Sequence, residues 1–423
     1  MLIRCGMFLF RQFIAMGRLS IALGKGGLYH LDSGQTGPHV TIHLAHHGVF
    51  WRILLKPDLA IGEAYMDGTL IISDGTLDDF MNILMASNNR WQRHWLGRLA
   101  QAGNAAGSWW RRLNLPYRAK ANVAHHYDLK DSLFDLFLDP RRQYSCAYFN
   151  KPDDPLADAQ ITKLARLAAK LCLRPGQRVL DIGCGWGGLA NALWEIEPRT
   201  RITGITLSEN QLTYAKQRAT EQGRGNQIDF HLRDYRHQTG RFERIVSVGM
   251  LEHVGAAHFN SYFATISRLL TADGLAVVHA IGVNATMRRC NRWLNKYIFP
   301  GGYLPSLEQI VACCSRQGLK IIDLEILRGH YAETLRQWRI AFEANIDLIK
   351  QDYDDHFVRM WRFYLAGCEY FFRHQDGMVF QMQVAHDYNM VPTTRRYIAE
   401  QEDNYRTILC SDTLFGQTRP LKK

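Results

Sequence analysis

No apolar run in the 423 residues reaches the roughly 20 that a helix needs to span a bilayer. There is no internal repeat and no low-complexity tract, which excludes a repeat array. No zinc-ligand spacing, Walker loop or RNA-binding aromatic motif occurs, so no metal site is expected. His43, His46 and His47, like His125 and His126, lack a matching cysteine or carboxylate pattern and read as surface or packing residues. The nine cysteines are odd in number and irregularly spaced, so they do not form a disulfide framework. Reduced thiols and a cytoplasmic compartment are expected.

The composition is that of a globular protein, 47% hydrophobic and 22% charged. The length suits two domains with ample core. A net charge of +11 suits an anionic partner, either nucleic acid or the inner leaflet of a membrane. Charge alone does not choose between them.

Met1 to Leu23 is apolar but interrupted by Arg4, Arg11, Gln12 and Arg18, with no clear small-residue cleavage site. It reads as a basic amphipathic helix rather than a signal peptide, lying on a membrane or packed on its own domain. Residues 1–90 are expected to form an N-terminal lipid- or membrane-docking domain. A basic linker follows at 91–120, where Arg90, Arg93, Arg98, Arg111, Arg112, Arg118 and Lys120 surround Trp91, Trp95, Trp109 and Trp110. Arginine interleaved with tryptophan suits a membrane interface, and it also suits a connector whose rings pack on a neighbouring domain.

From 121 to 423 strand and helix patterns alternate. Strands are predicted at 178–183, 201–207, 228–234, 244–249, 275–281, 319–327 and 379–385. Helices are predicted at 189–197, 209–221, 256–270 and 333–373. Such alternation builds a mostly parallel sheet covered on both faces, an α/β fold. The first strand leads into Asp181-Ile182-Gly183-Cys184-Gly185-Trp186-Gly187-Gly188. Glycines let the backbone approach a ligand, and the following helix offers free N–H groups. The third glycine comes too early for a dinucleotide loop, and a carboxylate precedes the run. The loop therefore points to S-adenosylmethionine (SAM), with a bare strand–turn–helix corner as the alternative. Seven strands in this order match the class I SAM-methyltransferase fold, a Rossmann-like sheet, beside a smaller N-terminal domain.

Further motifs occur in order: His126-Tyr127-Asp128-Leu129, Tyr144-Ser145-Cys146-Ala147-Tyr148-Phe149, the glycine loop, Ser247 to Gly255 with Met250-Leu251-Glu252-His253, and Asn295 to Gly302. Together they resemble the cyclopropane-fatty-acyl-phospholipid synthases and their mycolic-acid relatives, over about 121–390. The N-terminal domain makes the chain similar to the phospholipid-acting type. The resemblance implies transfer of a methylene group from SAM to a cis double bond of a phospholipid acyl chain. It implies SAM contacts at Tyr144, Ser145, Asp181, Gly183, Gly185, Gly187, Thr206, Leu207, Gln211, Tyr235 and Arg236. It also implies a bicarbonate ion held by Cys146, Glu252, His279, the backbone of Ile281, and Tyr331. Cys368 matches the cysteine usually marked as the family's active-site residue. The second strand ends in Thr206-Leu207-Ser208 with no acid for ribose hydroxyls, a feature the family shares. The resemblance further implies action at the inner face of the cytoplasmic membrane, with anionic phospholipid as partner, and a homodimer.

The chemistry gives these residues work. An alkene is a weak nucleophile, so it must be aligned with the sulfonium methyl and shielded from water. A base must then remove a proton so that the ring closes. Histidine, tyrosine and backbone donors can hold bicarbonate, while Glu252 orients it through the ion's O–H. Each residue also has a plainer role. Cys146 and Cys368 suit small buried hydrophobes, and a covalent role for Cys368 is not required. His279 suits a core histidine, Glu252 a helix start, and Tyr331 a core ring; Cys290, Cys313 and Cys314 read as structural. Phe299-Pro300-Gly301-Gly302 reads as a turn near the acyl channel or a plain loop. A nucleic-acid methyltransferase would carry an aromatic-and-proline motif after the fourth strand. Met250-Leu251-Glu252-His253 stands there instead, so no nucleic-acid partner is expected. Methyl transfer followed by reduction or proton loss elsewhere, giving methyl- or methylene-branched chains, remains the alternative outcome.

Overall fold

The computed structural model describes residues 2–24, 26–93, 129–284 and 291–411, with only the backbone of Asn89 and 91–93. The basic tryptophan-rich stretch 94–120, His125, the motif residues His126 to Asp128, and Cys290 lie outside the described residues. The chain divides into two compact units. One comprises 1–113, 290–300 and 335–377; the other comprises 114–289, 301–334 and 378–423. Among the described residues no helix is long and apolar enough to cross a membrane.

The first unit opens with helix Leu2–Phe13, followed by β1 (Arg18–Leu23), β2 (Leu28–Asp32), β3 (His39–Leu44) and β4 (Leu70–Asp74). The sheet order is β2-β1-β3-β4. A single helix over 1–23 is thus not what forms. Leu19, Ile21 and Leu23 alternate with Ser20 and Ala22, a period of two that suits a strand. These three pack with Val40, Ile42 and Leu44 of β3 and with Phe50 and Ile53 of helix His47–Leu55. Each such fully buried side chain contributes about 1.5–3 kcal/mol. The predicted helix at 333–373 is three helices, Arg328–Ala344, Ile346–Asp352 and Asp355–His374. The break comes where Asp354 accepts the Phe357 N–H at 2.8 Å and starts a new helix. Buried Glu369 is held by Arg339 at 3.0 Å, and Arg339 also pairs with Asp78 at 2.9 Å.

The second unit carries β5 (Arg178–Ile182), β6 (Arg201–Thr206), β7 (Ile228–Leu232), β8 (Phe242–Val248), β9 (Leu270–Val283), β10 (Lys320–Ile326) and β11 (Gly377–Ala385). Their order is β10-β11-β9-β8-β5-β6-β7. The pairs β5–β6, β5–β8, β6–β7 and β8–β9 are parallel, and β10–β11 is antiparallel. Successive residues of each strand feed opposite faces. Leu180, Ile245 and Val278 pack with Tyr262, Phe263 and Ile266 of helix Phe259–Leu269. Val179, Val246 and Val277 pack with Leu164 and Leu167 of helix Leu156–Leu171 and with Leu189 and Leu193 of helix Gly188–Ile196. A double-sided apolar sheet explains why these strands read as unbroken hydrophobic runs. This is the class I SAM-methyltransferase architecture.

Candidate active site

Ligands of open α/β sheets sit beyond the carboxyl ends of the strands. β5 ends there in Asp181 and the glycine loop, whose Gly183, Gly185 and Gly187 have φ of 79°, 55° and 79°. The N–H groups of Gly183 and Cys184 donate to the Ile205 carbonyl of β6 at 2.9 and 3.0 Å. Gly188, the first residue of the next helix, is pressed against the 139–146 strip. A Cβ there would lie 2.2 Å from the Arg141 carbonyl oxygen.

One pocket opens above these elements. Tyr144, Ser145, Asp181, Gly183, Gly185, Thr206, Leu207, Gln211, Tyr235 and Arg236 line it. Gly187 does not; it caps the helix that follows. The strip that supplies Tyr144 and Ser145 is pinned from below. Asp139 accepts the N–H groups of Arg141 and Gln143 at 2.9 and 2.8 Å, and Gln160 donates to the Ser145 carbonyl at 3.0 Å. Across the pocket, Thr206 donates to Gln211 at 3.0 Å, and Asp234 receives both the N–H and the Nε–H of Arg236 at 2.9 and 2.8 Å. Burial pushes Tyr235 up to about 12 and Asp181 up to about 7. Asp181 Oδ2 is buried without a hydrogen-bond partner among the described residues.

Cys146, Glu252, His279, Ile281 and Tyr331 belong to the second unit but do not line that pocket. Cys146 follows Ser145 directly, and Glu252 stands between the lining residues Met250 and His253. Glu252 Oε1 accepts the Ile281 N–H, whereas buried Oε2 has no partner among the described residues. Burial raises its carboxyl to about 7. His279 pairs in register with Val248 of β8 and lies 3.2 Å, through Nδ1, from Gln381 Nε2. Burial first, then the charges of Lys163 and Lys170, hold His279 far below the usual histidine range, so it is neutral. The Cys146 thiol lies 3.9 Å from the Leu327 carbonyl, and burial pushes its ionisation up; it is a thiol, not a nucleophilic thiolate. Tyr331 is nearly buried and follows that carbonyl by one turn, its N–H donating to Leu327 O at 3.3 Å. Cys368 belongs to the first unit, partly exposed on helix Asp355–His374.

Several residues at the site carry no motif. Lys163 and Gln381 are wholly buried polar side chains; the helix of Lys163 also buries Gln160, Thr162 and Lys170, and the strand of Gln381 also buries Gln383. The available signal was a polar residue interrupting a buried stripe. His253, which burial lowers to about 4, and Trp186 complete the pocket wall.

The arrangement fits SAM on this structure's own terms. Asp181 offers an unsatisfied oxygen, and Gly185 has nothing within 4 Å of where a Cβ would stand. Comparison with known proteins agrees. The chain is 38% identical to the cyclopropane-fatty-acyl-phospholipid synthase of Escherichia coli (strain K12) over 345 residues, 81% of this chain and 86% of that one. It is 37% identical over 297 residues to a probable fatty acid methyltransferase of Pseudomonas putida, 67% of this chain and 73% of the relative. The structure of mycolic acid cyclopropane synthase CmaA1 complexed with SAH and CTAB superposes with a TM-score of 0.59 at 34% identity, covering 63% of this chain and 97% of that one. The protein is a SAM-dependent methyltransferase. With the profile of the mycolic acid cyclopropane synthetase family matching residues 116–382, the chain belongs to that family.

Proposed function

We propose that this enzyme modifies lipid by transferring a methylene group from SAM to the cis double bond of unsaturated acyl chains in membrane phospholipids, forming a cyclopropane. Its relatives include a cyclopropane-fatty-acyl-phospholipid synthase matched over 81% of this chain. The observation that carries the mechanism is Glu252: a buried carboxyl with one oxygen on the Ile281 N–H and the other unpartnered among the described residues. SAM supplies an electrophilic methyl group when bound, through the pocket residues Tyr144 to Arg236 named above. A bicarbonate ion supplies a mild base when bound. Glu252 Oε2 fits the ion's O–H as an acceptor, and neutral His279 can donate a hydrogen bond without adding charge. Tyr331 offers a hydroxyl donor and Cys146 a small neutral wall. The set excludes water from a positively charged acyl chain and holds an acceptor for its proton.

The first unit is assigned to docking on an anionic membrane surface, at the inner face of the cytoplasmic membrane. On helix Leu2–Phe13 the exposed residues include Leu2, Arg4, Phe8 and Arg11, an apolar and basic combination. Within residues 1–57 Asp32 is the sole acid, against Arg4, Arg11, Arg18, Lys25, Arg52 and Lys56. The exposed apolar and basic residues of the helix, in so cation-rich a stretch of sequence, suit anionic headgroups. A homodimer is part of the same proposal.

A second reading keeps the transfer and changes the product to a methyl- or methylene-branched chain, favoured by the fatty acid methyltransferase relative. Incubation with SAM, bicarbonate and liposomes of cis-unsaturated phospholipid tests both. A gain of about 14 Da, the mass of one CH2, with cyclopropyl proton signals is expected. The same gain with olefinic signals establishes a methylene product. SAM binding with no lipid product refutes the lipid assignment.

A further inference from the structure

Lys163, in helix Leu156–Leu171, is 0% exposed. Its Nζ donates to Gln143 Oε1 at 2.5 Å and to Ser145 Oγ at 3.0 Å. Both acceptors are neutral, and both belong to the strip that lines the SAM pocket. An ammonium carries three donors, so one N–H is left without an acceptor among the described residues. Asp139 and Asp181 act on Lys163 only through longer-range attraction, and burial lowers it to about 8. With no carboxylate hydrogen-bonded to it among the described residues, that attraction offsets the desolvation of the buried cation only in part.

Ser145 turns this charge toward the pocket. Its oxygen receives the Lys163 N–H, which leaves its own O–H as a donor. Asp181 lines the same pocket, with Oδ2 buried and unpartnered among the described residues. The pocket wall thus offers a carboxyl oxygen lacking a donor at Asp181 and, at Ser145, a hydroxyl donor backed by the Lys163 charge. That pattern complements an α-amino-acid zwitterion, the group at one end of SAM.

We propose that Lys163, acting through Ser145, recognises the α-carboxylate of the cofactor's amino-acid end, while Asp181 receives its α-ammonium. Lys163 is thereby a specificity-determining positioning residue. The inference rests on SAM as cofactor but not on the lipid or the product.

Calorimetric titration of the full chain, without lipid, with SAM and with decarboxylated SAM tests it. The wild-type protein is expected to prefer SAM by about 30-fold, the range of a charge-assisted hydrogen bond to a buried partner. Lys163→Met should weaken SAM binding by about that factor, leave the decarboxylated ligand nearly unchanged, and bring the ratio close to one. A purely structural role in pinning the strip would weaken both ligands alike and leave the ratio intact, which overturns the proposal. Ser145→Ala leaves the buried lysine in place and should narrow the ratio in the same direction, so the test survives if Lys163→Met does not fold. Equal affinity of the wild-type protein for the two ligands also refutes it.

Discussion

Gln381, on β11, sets its side-chain amide 3.2 Å from Nδ1 of His279 on the neighbouring strand β9. Both side chains are buried. An amide nitrogen only donates, so Nδ1 accepts and the ring proton resides on Nε2. His279 then presents a donor rather than a lone pair at its far nitrogen. Gln381→Met keeps the length but leaves Nδ1 without that donor. It should cost about 1–3 kcal/mol of stability, the penalty of an unsatisfied buried group. Nitrogen NMR of the histidine rings should show the Nε2–H tautomer in the wild-type protein and a mixture in the variant, with turnover reduced. An unchanged ring spectrum would remove Gln381 from the account.

Glu252 makes a pH prediction. Its carboxyl is raised from 4.5 to about 7 by burial, opposed by the Ile281 N–H. The folded protein therefore holds this proton more tightly than the unfolded chain. The stability it contributes is full below the unfolded value and is lost as pH rises through about 7. Glutamine has no proton to lose. Glu252→Gln should flatten the fall in stability between about pH 5 and about pH 8 by on the order of 2 kcal/mol. Asp181 titrates in the same direction, and His253 and His279 in the opposite one. The difference between the two proteins in urea unfolding isolates Glu252, and parallel curves would contradict its burial.

The same substitution separates two views of the chemistry. Glu252→Gln should lower lipid turnover by about 100-fold or more, as loss of a group acting on proton transfer does. Cys368→Ala should retain turnover within about 10-fold, because no covalent step needs a thiol. Comparable losses in the liposome assay would restore a chemical role to Cys368.

Much of the second unit was legible because its physics is local. Runs such as Val179-Leu180 alternate between two covered faces, so the central strands β5, β8 and β9 stood out as apolar stretches. Helix Glu209–Glu221 starts where Ser208 caps it, a signal written in adjacent residues. The 333–373 stretch was harder, since Asn345 and Asp354 interrupt it without proline or glycine. The N-terminal 1–23 stretch misled because arginines masked the two-residue period of Leu19, Ile21 and Leu23. Lys163 and Gln381 were invisible for a different reason. Their roles depend on partners about 20 and about 100 residues away in sequence, Gln143 and His279, which no periodicity reports.

Gly188 tests the approach of the glycine loop to the strip that carries Ser145. A methyl group there would meet the Arg141 carbonyl at 2.2 Å and the Gln143 amide at 2.3 Å. The carbonyl is backbone and cannot swing aside. Gly188→Ala should cost about 1–3 kcal/mol as an overpacked site and displace Gln143, with it the Lys163 contact. SAM affinity should fall together with the melting temperature. Full affinity at a lowered melting temperature would mean that the strip tolerates displacement.

Helix Leu2–Phe13 offers the last test. Phe8 is 64% exposed and Leu2 75%, although burial would stabilise both. Arg4 and Arg11 share the exposed side with Phe8, spaced four and three residues from it. Each basic residue near an anionic surface contributes about 1 kcal/mol, and a phenyl ring adds apolar burial. The combined change Arg4→Glu, Phe8→Asp and Arg11→Glu should weaken sedimentation with phosphatidylglycerol vesicles by at least about 30-fold. All three side chains are exposed, so stability and SAM affinity should stay near wild type. The wild-type protein should lose vesicle binding as salt rises, whereas the variant should show little salt dependence. Undiminished vesicle binding by the variant would move docking to another surface of the protein.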